Sequence, residues 1–310
     1  MITLHIITGI LGSGKTSTLR HLLDVPGTEG STAIVVGEYA KEGFDATMLR
    51  ETGAEIVQVT STGIGDQAKS YLDPIRHLAQ DEFIRQIFLE TSGVTEIDKV
   101  VAELRADPLV RKRIVFGPTL VVLDAGAFTA HDTHFSEQLW GQVAVADTVI
   151  VNKTDKAAEE SLAVMKGRIL EHNPKARVLF TYMGQAPRPQ ALGQREDGFV
   201  PRLLDDDWKG GAPADFEAFV YRTRAVCFDQ VMFGHKLLNL PVGRIARFKG
   251  VLRLWNRSLC VNGLPGQLDW DKTSVSGSTT IAFIGLGLLD EQTTICDILD
   301  EELRRQKEEG

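Results

Sequence analysis

Short apolar runs alternate with helical spacing along the first 181 residues, and this alternation decides which folds are open to the chain. Several runs are rich in β-branched residues, and each has the length of a buried strand. They lie at residues 3–8, 32–38, 55–60, 85–91, 119–125, 147–153 and 177–181. Helical patterns separate most of them, for example at 136–146 and 157–173. Strands that alternate with helices predict an α/β fold with a doubly wound, mostly parallel sheet.

The pattern changes after residue 183, where Gly, Pro and charged residues accumulate. Strand-like stretches follow at 219–228, 244–255, 257–270 and 279–288, together with helical patterns at 228–241 and 290–309. The Gly- and Pro-rich segment is typical of a connector. We therefore predict a doubly wound α/β domain at residues 1–183, a connector at 184–218, and a smaller α+β domain with an antiparallel sheet at 219–310.

The overall composition argues against several classes of partner. Hydrophobic residues make up 43% of the 310 residues and charged residues 25%, which is typical of a globular protein. The net charge of −8 speaks against a nucleic-acid partner. No apolar run approaches the roughly 18 residues of a membrane span, and the N-terminus lacks a basic leader. We expect a cytoplasmic protein that binds neither nucleic acid nor membrane.

The three cysteines give no sign of a disulfide framework or a metal site. Cys227, Cys260 and Cys296 are far apart and odd in number, which suits a reducing compartment. We expect these cysteines and His235 to be packing residues of the smaller domain.

A glycine-rich stretch, GILGSGKTS, follows the first predicted strand and opens the first predicted helix. It fits the pattern G-x-x-x-x-G-K-[ST], whose backbone N–H groups cradle phosphates at a helix N-terminus. Lys15 is expected to reach the β- and γ-phosphates, and the Thr16 hydroxyl to bind Mg²⁺. The residues predicted to hold the phosphates are Gly9, Gly12, Ser13, Gly14, Lys15, Thr16 and Ser17.

The sequence Asn152-Lys153-Thr154-Asp155 follows the strand DTVIVNK and predicts which base is bound. A carboxylate at Asp155 can accept hydrogen bonds from the N1–H and the exocyclic amine of guanine, whereas adenine lacks this edge. The Lys153 stem can cover the ring plane, and Asn152 can tie this loop to the phosphate loop. We therefore predict GTP and GDP as ligands.

Two acidic segments are candidates for the chemistry of hydrolysis. Glu90 ends a strand beside the phosphate loop, where its carboxylate can bind Mg²⁺ through water or orient the attacking water, and Gly93 can donate its N–H to the γ-phosphate. Glu38 and Asp45 flank GEYAKEGFD, a predicted switch loop that triphosphate and Mg²⁺ would order. For each carboxylate, a solvated loop charge is the alternative.

These motifs resemble the CobW-type family of P-loop GTPases, which includes cobalamin-synthesis and nitrile-hydratase-activator proteins. The resemblance covers nearly the whole chain and rests on GILGSGKTS, GEYAKEGFD, FLETSGVTE, TLVVLDA, QVAVADTVIVNKTDK, HNPKARVLFT, FKGVLRL and AFIGLGLLD. It implies GTP binding, slow hydrolysis, and delivery of a metal or a metal-containing cofactor to a client protein. Relatives in this broad class of GTPases often pair across the nucleotide, which implies a nucleotide-dependent homodimer.

The chain departs from this family at the metal motif. The family usually carries C-x-C-C after the third strand, but here Gly63, Gly65 and Asp66 take the cysteine positions, and no cysteine precedes Cys227. We therefore predict no Zn²⁺ or Co²⁺ site at residues 63–66. Gly37 also stands where the family prefers Asn, and Ala40 where it prefers Gly.

Another dense group of possible metal ligands consists of His131, Asp132, His134 and Glu137. On a helix the two histidines would share a face. The alternative is a polar loop before the helix SEQLW.

Two hypotheses for function follow from the sequence. In the first, a GTPase switch assists assembly, cofactor insertion or reactivation of a metal- or corrinoid-dependent client enzyme. In the second, the protein is a GTP-binding regulatory module with negligible turnover and no metal cargo. The intact set of Lys15, Thr16, Glu90 and Asp155 favours the switch. An ATP-dependent kinase or transporter is a third possibility, which the NKTD loop opposes.

Overall fold

The structure of the 310-residue chain is a computed structural model. It describes residues 1–10, 12–24, 31–38, 49, 52–60, 67–93, 95–126, 136–193, 216–240, 245–264, 266–273 and 277–309. These residues fall into two compact units, of which one ends at Gly193 and the other begins at Phe216. Within the described ranges, no helix is both long enough and apolar enough to cross a membrane.

The first unit is built on a seven-stranded sheet in which every neighbouring pair is parallel. Its strands are β1 (Ile2–Thr8), β2 (Thr32–Glu38), β3 (Glu55–Thr60), β4 (Gln86–Glu90), β5 (Ile114–Asp124), β6 (Thr148–Asn152) and β7 (Arg177–Phe180). The spatial order is β3-β2-β4-β1-β5-β6-β7, so β1 lies in the middle. This confirms the predicted parallel, doubly wound sheet.

Helices pack against both faces of this sheet. The helices of this unit are α1 (Lys15–Leu23), α2 (Gln67–Ser70), α3 (Leu72–Leu78), α4 (Ile97–Ala106), α5 (Pro108–Arg113), α6 (Ser136–Val145), α7 (Glu159–His172) and α8 (Arg188–Leu192). Side chains of β1 alternate between the two layers: Leu4 packs in the cluster that holds Leu104 of α4, and Ile7 in the cluster that holds Leu19 of α1. A strand buried on both faces needs apolar residues at successive positions, and this explains the continuous apolar runs of the sequence.

The predicted connector, 184–218, begins within the first unit. Ala186, Ala191 and Leu192 are buried in the same apolar cluster as Ile7. Arg188 donates hydrogen bonds to the Leu22 carbonyl and to Oε1 of Gln86. The segment up to Gly193 therefore packs on the parallel sheet, while residues 194–215 lie outside the described ranges.

The second unit contains a five-stranded antiparallel sheet, in the order β11-β10-β9-β12-β8. Its elements are β8 (Phe216–Thr223), α9 (Gln230–Leu238), β9 (Ile245–Arg253), β10 (Ser258–Leu264), β11 (Gln267–Lys272), β12 (Thr279–Leu286) and α10 (Gln292–Glu309). Apolar side chains of both helices, such as Phe233 and Leu299, join the core of the sheet. The predicted α+β class is confirmed.

One strand-like stretch of this unit, 257–270, is divided by a turn. It contains β10 and the first part of β11, which pair antiparallel with Leu264 opposite Gln267. The chain reverses at Gly266, whose φ of +74° belongs to the left-handed region that glycine tolerates.

Cys227 is fully buried in the core of the unit, and Cys296 packs against the same cluster.

Candidate functional site

The carboxyl ends of the parallel strands bring the predicted site residues to one edge of the sheet. Glu90 is the last residue of β4, Asp124 of β5 and Asn152 of β6, and the stretch predicted to bind phosphate follows β1, which lies between β4 and β5. In open parallel sheets, ligands bind in the crevice beyond these strand ends. The candidate site lies in the first unit.

The loop after β1 requires glycine at two points where other segments approach its backbone. A Cβ at Gly9 would lie 2.1 Å from the Val122 carbonyl oxygen, and a Cβ at Gly14 would lie 2.3 Å from Nδ2 of Asn152. Both glycines also have positive φ values, +139° and +98°. Gly14 directly precedes α1, so the first N–H groups of that helix face the loop interior.

Polar side chains line the inside of this loop. The Lys15 ammonium donates to the carbonyl oxygens of Gly9, at 2.8 Å, and Ile10, at 3.2 Å. The Ser13 hydroxyl is fully buried and has no hydrogen-bond partner among the described residues. Gly12 is buried beside it, and Ser17 is half-buried in the first turn of α1. A phosphate group would supply the acceptors that a buried ammonium and an unsatisfied hydroxyl need.

Thr16 and Glu90 meet between α1 and the end of β4. The Thr16 hydroxyl donates to Oε1 of Glu90 at 2.7 Å, and Glu90 is 3% exposed. A hydroxyl and a carboxylate are oxygen ligands of the kind that Mg²⁺ prefers, so these residues fit the ion that accompanies a nucleotide. Glu38 ends β2 opposite Thr60, but its side chain and all of Asp45 lie outside the described part.

Two residues that the sequence did not predict contact the loop after β4. The Gln142 side chain of α6 donates to the Gly93 carbonyl oxygen at 3.5 Å. The Tyr71 hydroxyl accepts a hydrogen bond from the backbone N–H of Ser92 at 3.3 Å. Gln142 lies in the QVAVAD stretch quoted for the resemblance, whereas nothing in the sequence around Tyr71 indicated such a role.

Asn152 joins three segments through one side-chain amide. Its Nδ2 donates to the Ser13 carbonyl at 3.0 Å, and its Oδ1 accepts from the Gly184 N–H at 2.9 Å and from the Thr181 hydroxyl at 3.4 Å. A Cβ at Gly184 would lie 2.7 Å from the Thr18 backbone nitrogen, so this loop packs closely on α1. The sequence did not predict the contributions of Thr181 and Gly184.

The neighbouring residues of NKTD differ in their surroundings. Lys153 has a left-handed φ of +58°, and its ammonium lies 2.6 Å from Oδ2 of Asp124. The other Asp124 oxygen accepts the Gly126 N–H at 2.9 Å. Asp155, in a short 3₁₀ turn, is exposed and makes no hydrogen bond to another described residue, so its carboxylate is accessible to a ligand.

The two segments considered for a metal other than Mg²⁺ lie mostly outside the described residues. Residues 63–66 and 131–135 are not described, and of Glu137 only the backbone is. In the ranges that are described, no three His, Cys, Asp or Glu side chains come together to hold a metal ion. His235 lies in the last turn of α9, and Cys260 is half-buried on β10. The prediction for residues 63–66 stays a prediction.

Comparison with known proteins identifies relatives of the first unit. Residues 3–180 match the family model described as the CobW/HypB/UreG nucleotide-binding domain. The zinc chaperone CobW of Pseudomonas aeruginosa is 28% identical over 222 residues, which are 61% of this chain and 58% of that protein. The zinc chaperone YeiR of Escherichia coli is 26% identical over 165 residues, which are 52% of this chain and 49% of that protein. The chain thus spans about half of these relatives.

A crystal structure of the Zn(II)-bound YjiA GTPase from E. coli aligns with nearly all of the chain. The match covers 97% of this chain and 98% of that one, with 19% identity and a TM-score of 0.41. The match to the family model extends over more than half of the chain and confirms the resemblance that the motifs indicated. This protein belongs to the CobW/HypB/UreG family of nucleotide-binding proteins.

Proposed function

We propose that this protein is a Mg²⁺-dependent cytoplasmic GTPase. Its nucleotide state would control assembly, cofactor insertion or reactivation of a metal- or corrinoid-dependent client enzyme. The observation that carries the proposal is the convergence of Lys15, Thr16, Glu90 and Asn152 at the end of β1. Lys15, Thr16 and Glu90 suit phosphates and Mg²⁺. Asn152 begins the NKTD loop, which is predicted to bind guanine.

At the phosphate end, the proposal gives each side chain a separate task. Lys15 would exchange the loop carbonyls for the β- and γ-phosphate oxygens, and the Ser13 hydroxyl would gain a phosphate acceptor. Thr16 and Glu90 would hold Mg²⁺, which neutralises charge that develops on the phosphates. The 2.7 Å contact between Thr16 and Glu90 supports the Mg²⁺ role of Glu90 over direct orientation of the attacking water. Gly93 would donate its N–H to the γ-phosphate.

At the base end, the exposed Asp155 carboxylate would accept two hydrogen bonds from guanine. The Lys153 stem would lie along the ring plane, and the Asn152 amide would keep the base loop and the phosphate loop at a fixed separation. The base would cover the Asp155 carboxylate, and adenine would leave it facing an acceptor. A polar group that is covered without a hydrogen-bond partner costs about 1–3 kcal/mol. Discrimination against ATP therefore follows from one side chain.

For the client, the proposal rests on the relatives and on the predicted switch loop with Glu38 and Asp45. Two relatives are named zinc chaperones, and we extend from them only the idea of a metalloenzyme client. GTP would order the switch loop and favour binding of the client, and hydrolysis would release it, because a switch needs different client affinities in its two states. A nucleotide-dependent homodimer is part of this proposal.

A second candidate is a GTP-binding regulatory module with negligible turnover and no metal cargo. The observation that favours it is the lack of any cysteine before Cys227, which removes the thiolates that a soft-metal carrier would use. The two candidates predict different rates of phosphate release. In the first, turnover rises when the client or its metal is added, and in the second it stays near the background rate.

The test of the proposal is competition between nucleotides. Fluorescent GTP should bind with Mg²⁺, unlabelled GTP and GDP should displace it, and ATP should do so far more weakly. Asp155→Asn should lose this preference, because an amide presents one acceptor where guanine needs two. Asp271→Asn, which changes an exposed carboxylate on β11 of the second unit, serves as the matched control. Equal competition by ATP in the native protein would refute the assignment of guanine.

A further inference from the structure

Tyr71 is a buried polar residue that the proposed mechanism does not use. It lies between α2 and α3 and is 1% exposed. A tyrosine on an apolar face usually directs its hydroxyl toward solvent, because burial leaves a hydroxyl in need of hydrogen-bond partners. Here the hydroxyl points inward, so its contacts must explain the position.

The hydroxyl closes the loop that follows β4. It accepts the backbone N–H of Ser92 at 3.3 Å and lies 3.5 Å from the Thr95 hydroxyl. Because a phenol can accept and donate at once, the hydroxyl that accepts the Ser92 hydrogen can also share a hydrogen bond with Thr95, in which either oxygen can be the donor. The Thr95 N–H in turn donates to the Ser92 carbonyl at 3.1 Å. Burial raises the pKa of Tyr71, so the phenol keeps its proton at neutral pH.

The same hydroxyl also lies against β2. A Cβ at Gly37 would be 2.0 Å from the Tyr71 hydroxyl oxygen and 2.7 Å from Cζ of the ring. Only glycine leaves room for the phenol at this point. Gly37 is the residue before Glu38, and Ser92 is the residue before Gly93, so one oxygen touches the neighbours of two predicted nucleotide-sensing residues.

We propose that Tyr71 is a positioning residue, which holds the Glu90–Gly93 loop in register with the end of β2 so that both segments respond to the γ-phosphate together. The inference rests on the proposed GTPase function. Tyr71 does not touch the nucleotide in this scheme. It fixes the Ser92 peptide, and through it the direction of the adjacent Gly93 N–H, while its ring fills the space beside Gly37.

The experiment compares Tyr71→Phe with Tyr221→Phe. Both changes remove one buried phenol hydroxyl, but Tyr221 is 3% exposed, lies on β8 of the second unit and donates to Asp300 at 2.6 Å. Three quantities are measured in each variant: kcat for GTP hydrolysis, the dissociation constant of GDP, and amide hydrogen exchange of a peptide spanning residues 91–95. The GDP measurement separates loss of γ-phosphate positioning from a general loss of folding.

We expect Tyr71→Phe to lower kcat about fivefold to tenfold, the worth of one hydrogen bond. The GDP dissociation constant should stay within about twofold, because GDP lacks the γ-phosphate, and exchange at residues 91–95 should accelerate. Tyr221→Phe should leave all three unchanged. If kcat is unaltered in Tyr71→Phe, or if both variants lower it equally, the positioning role is overturned while the GTPase proposal stands.

A failure of the proposed function would look different. If the native protein neither binds nor turns over GTP, that function falls, and exchange in the ligand-free protein still decides the role of Tyr71. Faster exchange at residues 91–95 in Tyr71→Phe alone supports a hydroxyl that holds the loop. Equal exchange in the native protein and in this variant overturns it.

Discussion

The Lys153 ammonium lies 2.6 Å from the Asp124 carboxylate, and this pair anchors the lysine of the predicted base-binding loop at its charged end. Asp124 is 3% exposed, and its second oxygen accepts the Gly126 N–H. The backbone of Lys153 has a left-handed φ of +58°, which sets the direction in which the side chain leaves the loop. The stem that would cover guanine is therefore fixed at both ends.

We expect Asp124→Asn to weaken GTP and GDP binding by the same factor, about 10- to 100-fold. A charge-assisted hydrogen bond contributes about 1.5–3 kcal/mol, and its loss frees the lysine stem from the base plane. The factor is shared because both nucleotides carry the same base. Titration of the variant with each nucleotide measures it. Glu159→Gln, an exposed carboxylate of α7, is the control, and a loss confined to GTP would contradict the assignment.

Lys15→Ala should abolish tight binding of GTP. The ammonium is 7% exposed and already lies within the loop that would hold the phosphates, so the change removes a direct charge partner of the ligand. Fluorescent GTP titration gives the affinity. Arg20→Ala, an exposed cation later in the same helix, should bind like the native protein. Unaltered affinity in Lys15→Ala would remove the central claim of the proposal.

Thr16→Ala should act through Mg²⁺ rather than through direct contact with phosphate. We expect the gain in GTP affinity on adding Mg²⁺ to shrink severalfold, with little change when Mg²⁺ is absent. Thr18→Ala is a close control, because Thr18 is also buried in α1 and its hydroxyl has no partner among the described residues. Parallel losses in both variants would assign the effect to helix packing instead.

The stability of the first unit should depend on pH through His5. Burial, and secondarily the positive charge of Arg188, lower the pKa of His5 from 6.5 to about 3. Between these values an unfolded chain binds a proton that the folded chain does not. The free energy of unfolding should therefore fall as the pH drops from 6.5 toward 3, by up to about 1.4 kcal/mol per pH unit from this residue.

Urea unfolding of the native protein and of His5→Leu at pH 6.5 and pH 4.5 tests this dependence. Carboxylates contribute to the pH dependence of stability in both proteins. The difference between the two proteins in free energy of unfolding lost from pH 6.5 to pH 4.5 therefore isolates the contribution of His5. The variant should lose less stability on acidification than the native protein does. If both proteins lose the same free energy of unfolding between the two pH values, the pKa of His5 in the folded protein is not lowered, and the prediction is wrong.

The prediction about metal cargo concerns residues 63–66. Gly63, Gly65 and Asp66 offer one carboxylate and no thiolate, whereas transfer sites for Zn²⁺ use several S or N ligands. Isothermal titration with Zn²⁺ and with Co²⁺, in the presence of Mg²⁺ and a GTP analogue, should show no stoichiometric binding at this loop. One tight equivalent that Asp66→Ala removes would restore a metal-carrier role. Binding lost only on replacing His131 and His134 would move the site there.

The sequence predicted the parallel sheet because strands buried on both faces appear as continuous apolar runs, which are easy to recognise. It did not predict the reversal between β10 and β11, because the apolar pattern continues on both sides of the turn at Gly266. The register of such a hairpin depends on turn geometry, which composition alone does not specify.

For the site, the motifs predicted residues that belong to a recognisable pattern, including Glu90 and Asn152, and missed single residues that reach the site from other elements. Asp124 meets Lys153 only because β5 and β6 are neighbours whose ends align. Tyr71 and Gln142 approach the loop after β4 from separate helices, and neither contact follows from spacing along the chain. Glu38, Asp45, His131 and His134 remain predictions, because their side chains lie outside the described residues.

The Asn152 amide has a consequence for how a nucleotide could leave. Because it donates to Ser13 and accepts from Gly184, the phosphate loop and the loops after β6 and β7 are clamped together as one block. We expect no hinge on that side of the nucleotide. Exit must then begin at the opposite wall, formed by the ends of β2 and β4. A partner protein that accelerates exchange of GDP for GTP would therefore act at the ends of β2 and β4, beside the phosphates. The contacts to guanine would break last.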